Sequence, residues 1–189
     1  LTPGPTPIPD RVRLAMAAPL PHHRKDAFKT ILAENQVMLK KLFCTSSPVL
    51  PLACSGTGGM TAAAFNLFSP GEKVLVATAG YFGNRWVDIV KMRGLEPVVL
   101  SRNAGESFDP EDIRAMLDAD PAIRGVFMQI SETSTGVLHP VREIAAVTRE
   151  RDVLLVADGI SAVSISPVPM DEWGIDCLIT GSQKGLMLP

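Results

Sequence analysis

The sequence has 189 residues, 46% hydrophobic and 20% charged, with a formal net charge of −2. That length supports one domain with a sizeable core, and the composition is ordinary for a globular chain. It shows no basic field for nucleic acid, no polybasic membrane patch, and no apolar run near the ~20 residues that cross a bilayer. The opening LTPGPTPIPD lacks a basic region followed by an apolar one, so no signal peptide is expected. The three cysteines, Cys44, Cys54 and Cys177, are scattered and odd in number, which argues against a disulfide framework and suits a reducing cytoplasm. They lie in or beside apolar runs and are expected as core thiols. His22, His23 and His139 show no metal-ligand spacing with them, so no metal site is expected.

Pro3, Pro5, Pro7, Pro9, Pro19 and Pro21 predict an extended arm over residues 1–21, neither helix nor central strand. A helix is expected over residues 26–43, with Asp26 as N-cap and Phe28, Ile31, Leu32, Asn35, Met38, Leu39 and Leu42 on one face. Residues 49–53 read as a strand, which Pro51 would confine to an edge or to one free side. The turn 54–59 is glycine-rich and leads into a helix expected over residues 60–68. Such a turn brings backbone N–H groups close to an anion, with Thr57 adding a hydroxyl, but it also serves as a plain strand-to-helix connection. Ser69-Pro70-Gly71 ends that helix.

A βα rhythm follows. Strands are expected at 74–77, 97–100, 125–130, 153–157 and 177–180, and helices at 82–93, 110–117 and 140–150, with Asp109 as an N-cap before Pro110. Short loops and repeated crossovers predict an α/β fold: a mostly parallel sheet in three layers, with helices on both faces. Residues 1–25 would form an arm and residues 26–189 a single layered unit.

Polar groups gather where these strands end, the crevice in which open α/β sheets bind ligands. Asp158 follows one apolar run, and Lys184 follows another by way of Gly181-Ser182-Gln183. A partly desolvated lysine can attack an aldehyde as the free amine, and a carboxylate can hold a proton on the ring nitrogen of pyridoxal phosphate. The plainer alternative makes Asp158 a helix cap and Lys184 a solvated loop residue. Tyr81-Phe82, between glycines, offers a face for a flat ring or a core aromatic, and residues 131–136 offer hydroxyls or simple turn caps. Their convergence on one sheet edge favours a site.

The segments TPGPTPIPDRV, HHR, SGTGGM, SPGEKVLV, GYFGNRW, ETSTGV, VADGISAV, DEWGID and GSQKGLM run in that order along essentially the whole chain. Together they resemble the class V, fold-type I pyridoxal-phosphate-dependent aminotransferases, in the alanine–glyoxylate/serine–pyruvate branch. The resemblance implies the large cofactor-binding domain of that fold and pyridoxal 5'-phosphate as cofactor. It implies that Lys184 bonds the cofactor and shuttles a proton, and that Asp158 pairs with the ring nitrogen. Thr57, Gly58 and Gly59 would supply phosphate donors, with Gln183 helping. Phe82 would stack on the ring, Ile160 would pack on its other face, and Thr133 would sit near its phenolic oxygen. Pro3-Gly4-Pro5 would lie near the substrate. Gly159 and Gly59 depart from the family pattern and bear on the finer phosphate geometry.

The resemblance further implies a small amino acid (alanine or serine) and a 2-oxo acid (glyoxylate or pyruvate) as substrates, and a homodimer. Members of the family are much longer. The arginine for the substrate carboxylate, a C-terminal small domain and partner-subunit phosphate contacts would lie beyond Pro189, so these residues are expected to be part of a longer polypeptide. The alternatives are a class V lyase or cysteine desulfurase, or a non-catalytic pyridoxal-phosphate-binding regulatory module. A nicotinamide dinucleotide domain is disfavoured: SGTGG lacks the third spaced glycine, and no acidic residue ends the strand at 74–77.

Overall fold

The computed structural model describes residues 3–189. The chain runs through α1 (Asp10–Met16), α2 (Asp26–Phe43), α3 (Gly56–Leu67), β1 (Lys73–Thr78), α4 (Tyr81–Arg93), β2 (Glu96–Ser101), α5 (Pro110–Ala119), β3 (Ile123–Gln129), β4 (Ser131–Glu132), β5 (Val137–Leu138), α6 (Val141–Arg149), β6 (Leu154–Asp158), α7 (Met170–Trp173) and β7 (Cys177–Ile179). Five strands pair in parallel in the order β2-β1-β3-β6-β7, and β4 and β5 form a separate antiparallel hairpin. The fold is α/β, as expected.

Alternation along the strands builds the three layers, because successive side chains point to opposite faces. Val74, Val76, Phe127 and Val156 face α3 and α4, where they pack with Met60, Ala64, Trp86 and Val90. Leu75, Ala77, Val126, Met128 and Leu155 face α5 and α6, where they meet Ile113, Leu117, Val141 and Ile144. Helices therefore cover both faces of β1, β3 and β6, which explains why those strands are unbroken apolar runs. Asp109 caps α5 by accepting from the Glu111 N–H at 3.0 Å, as its position before Pro110 predicts.

Five expectations are corrected. The arm is not wholly extended: α1 begins directly after Pro9, and the seven residues it spans contain no proline to block it. Residues 49–53 form no strand. Pro48 and Pro51 carry no donors there, and the backbone of Val49 is bonded on both sides by the Gln36 side-chain amide rather than by a neighbouring strand. Asp26 is the first residue of α2, not its cap, which is Lys25. Cys44 and Cys54 are exposed, and only Cys177 is partly withdrawn; burial lifts that thiol to about 11. The third helix also starts earlier than expected, at Gly56, because Ser55 caps it by accepting from the Gly58 N–H at 3.3 Å.

Candidate active site

The C-terminal ends of β1, β3, β6 and β7 and the N-terminus of α3 surround a cleft of about 200 Å³. Of the nine site residues expected from the sequence, Thr57, Phe82, Thr133, Asp158, Ile160, Gln183 and Lys184 line it. Gly58 and Gly59 do not. They sit in the first turn of α3 with their N–H groups given to the Ser55 hydroxyl and the Ser55 carbonyl. Gly56 and Thr57 head the helix, where N–H groups have no partner one turn earlier.

Asp158 closes β6 and is 5% exposed. Its Oδ1 accepts from the Ile160 N–H at 2.8 Å, and its Oδ2 accepts from Gln129 Nε2 at 3.2 Å. Burial raises its pKa from 3.8 to about 6, against the pull of those two donors. Lys184 lies in the loop after β7, and the N-terminal arm is laid against it. Thr6 donates its N–H to the Gln183 carbonyl at 2.9 Å and its hydroxyl to the Lys184 carbonyl at 2.9 Å. A β-carbon built on Gly4 would stand 2.5 Å from Lys184 Cδ and 3.1 Å from its Nζ. With φ at +144°, Gly4 holds a conformation that disfavours any side chain, and one added there would also displace the lysine stem.

Phe82 forms a wall from the first turn of α4. The buried Glu132 carboxylate holds that turn, accepting from the N–H groups of Phe82 at 3.3 Å and Gly83 at 2.9 Å and from the Ser134 hydroxyl at 2.6 Å. Burial pushes the Glu132 pKa upward, but the donors from Ser134, Gly83 and Phe82 outweigh it and hold the group below its ordinary value. Arg85, one turn after Phe82, donates to Thr57 Oγ1 at 2.7 Å, with its guanidinium carbon 5.1 Å from the centre of the Phe82 ring. Thr133 and Ser161 share a hydroxyl–hydroxyl bond of 2.5 Å.

Sequence reasoning missed Ser55, Gly56, Met60, Arg85 and Ser161 in the lining, and Gln129 and Glu132 behind it. Ser55 had a legible signal, a serine just before a helix start. Arg85 had another, the three-residue spacing that puts it on the same helix face as Phe82. Gln129 and Glu132 had none.

The assembled chemistry is specific. Apolar walls from Phe82 and Ile160, a buried acid, a primary amine, and a helix N-terminus with a hydroxyl and an arginine beside it suit a flat heteroaromatic aldehyde. That molecule would carry a basic ring nitrogen and an anionic group, which describes pyridoxal phosphate.

Comparisons with known proteins point the same way. The family model for aminotransferase class-V matches residues 15–189. The L-aspartate–glyoxylate aminotransferase of Paracoccus denitrificans is 39% identical over 195 residues, which cover 99% of this chain and 48% of that protein. A protein of Synechococcus sp. named soluble hydrogenase, small subunit, is 37% identical over 192 residues, covering all of this chain and 50% of its own. The crystal structure of ureidoglycine–glyoxylate aminotransferase from Bacillus subtilis superposes on all of this chain with a TM-score of 0.97 at 33% identity, using 49% of its own length. The chain thus spans about half the length of the curated relatives it matches. With the sheet, the order of its strand-end loops and a family match across most of its length in agreement, the chain belongs to the class V aminotransferases.

Proposed function

We propose that this chain is the cofactor-holding part of an enzyme that uses pyridoxal 5'-phosphate to exchange an amino group between a small amino acid, alanine or serine, and a 2-oxo acid, glyoxylate or pyruvate. One observation carries the reading: a single cleft lined by the Lys184 amine, the buried Asp158 carboxylate and the Phe82 ring, each from a different segment. Glyoxylate in the names of the Paracoccus and Bacillus relatives supports it as acceptor.

When bound, pyridoxal phosphate supplies an aldehyde carbon for attachment and a conjugated ring that takes up an electron pair from the substrate. The residues do the rest. Lys184, held against Gly4, would hold the group covalently through its amine with loss of water and, once the substrate's amino group has displaced that amine, would take a proton from the substrate Cα and return it. Asp158, buried at the end of β6, would hold a proton on the ring nitrogen as its carboxylate. Phe82 and Ile160 bind the ring and exclude water from it. Thr57, fixed by Arg85, would donate to the phosphate with help from Gln183, and Thr133 would orient the ring through its phenolic oxygen.

Residues 26–189 act as the large domain, with residues 3–25 as an arm on Lys184, and the remaining half-length seen in relatives supplies the small domain and the substrate-carboxylate arginine. Exposed Ile31, Leu32, Val37 and Met38 on α2 support a homodimer. Three free cysteines support a cytoplasmic setting, and no helix among the described residues is long and apolar enough to cross a membrane.

The test uses the full-length protein. Pyridoxal phosphate should give a visible absorbance band that Lys184→Ala abolishes, and alanine or serine should then transfer nitrogen to glyoxylate or pyruvate. A band that survives Lys184→Ala, or the absence of turnover with alanine–glyoxylate, serine–glyoxylate and serine–pyruvate alike, would sink the reading.

A further inference from the structure

Gln129 is the last residue of β3 and its side chain is 3% exposed. A buried primary amide must find acceptors for two hydrogens. Gln129 Nε2 donates to the Phe82 carbonyl at 2.8 Å and to Asp158 Oδ2 at 3.2 Å. Both partners are acceptors, so the nitrogen, not the oxygen, faces them. On the other side of Phe82, its N–H is held by Glu132 of β4. The backbone of Phe82 is therefore pinned at its carbonyl and its N–H by two buried side chains three residues apart.

We propose that Gln129 is a positioning residue for the cofactor, fixing the Phe82 wall relative to the Asp158 carboxylate through one amide nitrogen and keeping that carboxylate ionised while it is buried. The inference rests on the pyridoxal phosphate reading of the cleft and adds to it a residue that touches neither substrate nor ring.

The charges around Asp158 show why the amide matters. Glu132 opposes its ionisation, Arg85 favours it, and Lys184 lines the same cleft. Glu132 and Arg85 act at a distance, whereas Gln129 and the Ile160 N–H bond the carboxylate directly. Without Gln129, Oδ2 loses its one protein donor among the described residues, and the Phe82 carbonyl loses its side-chain anchor.

The test is acid release of pyridoxal phosphate from the full-length holoenzyme, followed by visible absorbance and by circular dichroism of the bound cofactor. Gln129→Met keeps the bulk and removes both donors. The release midpoint should rise by about one pH unit, because protonated Asp158 no longer holds the ring nitrogen. The cofactor dichroism should fall by roughly half as Phe82 loses its fixed pose. Stability of the cofactor-free variant should be lowered more at about pH 8 than at about pH 5, where Asp158 is largely protonated. An unmoved midpoint with equal losses at both pH values reduces Gln129 to packing and overturns the proposal. If Gln129→Met does not fold, Gln129→Glu decides the matter. Its acid must share a proton with Asp158, so the midpoint should rise again, and an unchanged midpoint overturns the proposal. Wild-type protein that shows no cofactor absorbance overturns the cofactor reading instead, and the inference falls with it.

Discussion

Asp158 is held in the cleft against its own solvation. Its folded pKa, about 6, lies above the ordinary 3.8, so the free protein binds its proton more tightly folded than unfolded. The associated stability is fully present below pH 3.8 and is lost as pH rises through about 6, leaving a cost of about 3 kcal/mol in the ionised state. Asp158→Asn removes that titration. In cofactor-free protein, its unfolding free energy relative to wild type should shift in the variant's favour by about 2.4 kcal/mol between about pH 4 and about pH 8. Denaturant titrations at the two pH values read this directly, and a flat difference would show that Asp158 is not desolvated. A cationic ring nitrogen beside the carboxylate turns the same burial into affinity, so the variant should also bind pyridoxal phosphate more weakly.

Gly4 acts on the other reacting group. Its φ is +144°, which disfavours a side chain, and a β-carbon there would lie only 2.5 Å from Lys184 Cδ, so a methyl fits only if the lysine stem moves. Gly4→Ala should push the lysine stem aside and slow attachment of pyridoxal phosphate by about tenfold or more, as expected for an amine displaced from its attack position. The pH at which Asp158 titrates should stay where it was. Stopped-flow absorbance separates the two effects, and a wild-type attachment rate would show that the arm does not position Lys184.

At the scale of elements, the strands were legible because helices cover both faces, which makes each one an apolar run ending in something polar. Helix starts were less so. Glycines at 56, 58 and 59 look like a turn, yet they are the first turn of α3: a β-carbon on Gly59 would reach within 2.9 Å of Ile179 and one on Gly58 within 2.7 Å of Cys54. Small residues there serve close packing, not a break. The buried polar pair behind the cleft was illegible for a different reason. Gln129 reads as an ordinary strand-end residue and Glu132 as part of the polar turn after it, and only the arrival of Phe82, Gly83 and Asp158 from distant segments gives them partners. The α3 cap is testable on its own. Ser55→Ala removes the acceptor for the Gly58 N–H and should cost about 1 kcal/mol of stability in chemical denaturation. A cost near zero would mean that packing against Ile179, not the cap, sets the start of the helix.

At the scale of the whole molecule, α2 is the element that the fold leaves unfinished. It runs for 18 residues, yet among them only Phe43 is buried, and Ile31, Leu32, Val37 and Met38 are 42–57% exposed. Its amphipathic face was legible in the sequence; what it faces was not, because periodicity records that a surface is apolar and says nothing about its partner. Several large apolar side chains left exposed on one helix mark a candidate association site. If a second copy covers it, charges at Ile31 and Met38, seven residues apart on one face, must be desolvated on dimerisation. The double variant Ile31→Lys/Met38→Lys should then weaken self-association of the full-length protein at least about tenfold, or about 1.4 kcal/mol. Met92→Lys makes the matching control, since Met92 is 63% exposed on a different helix, α4. Sedimentation velocity over a concentration series should show the double variant dissociating where wild type and Met92→Lys remain associated. If the double variant sediments as wild type does, α2 is not the subunit contact, and its apolar face must instead be covered within one polypeptide.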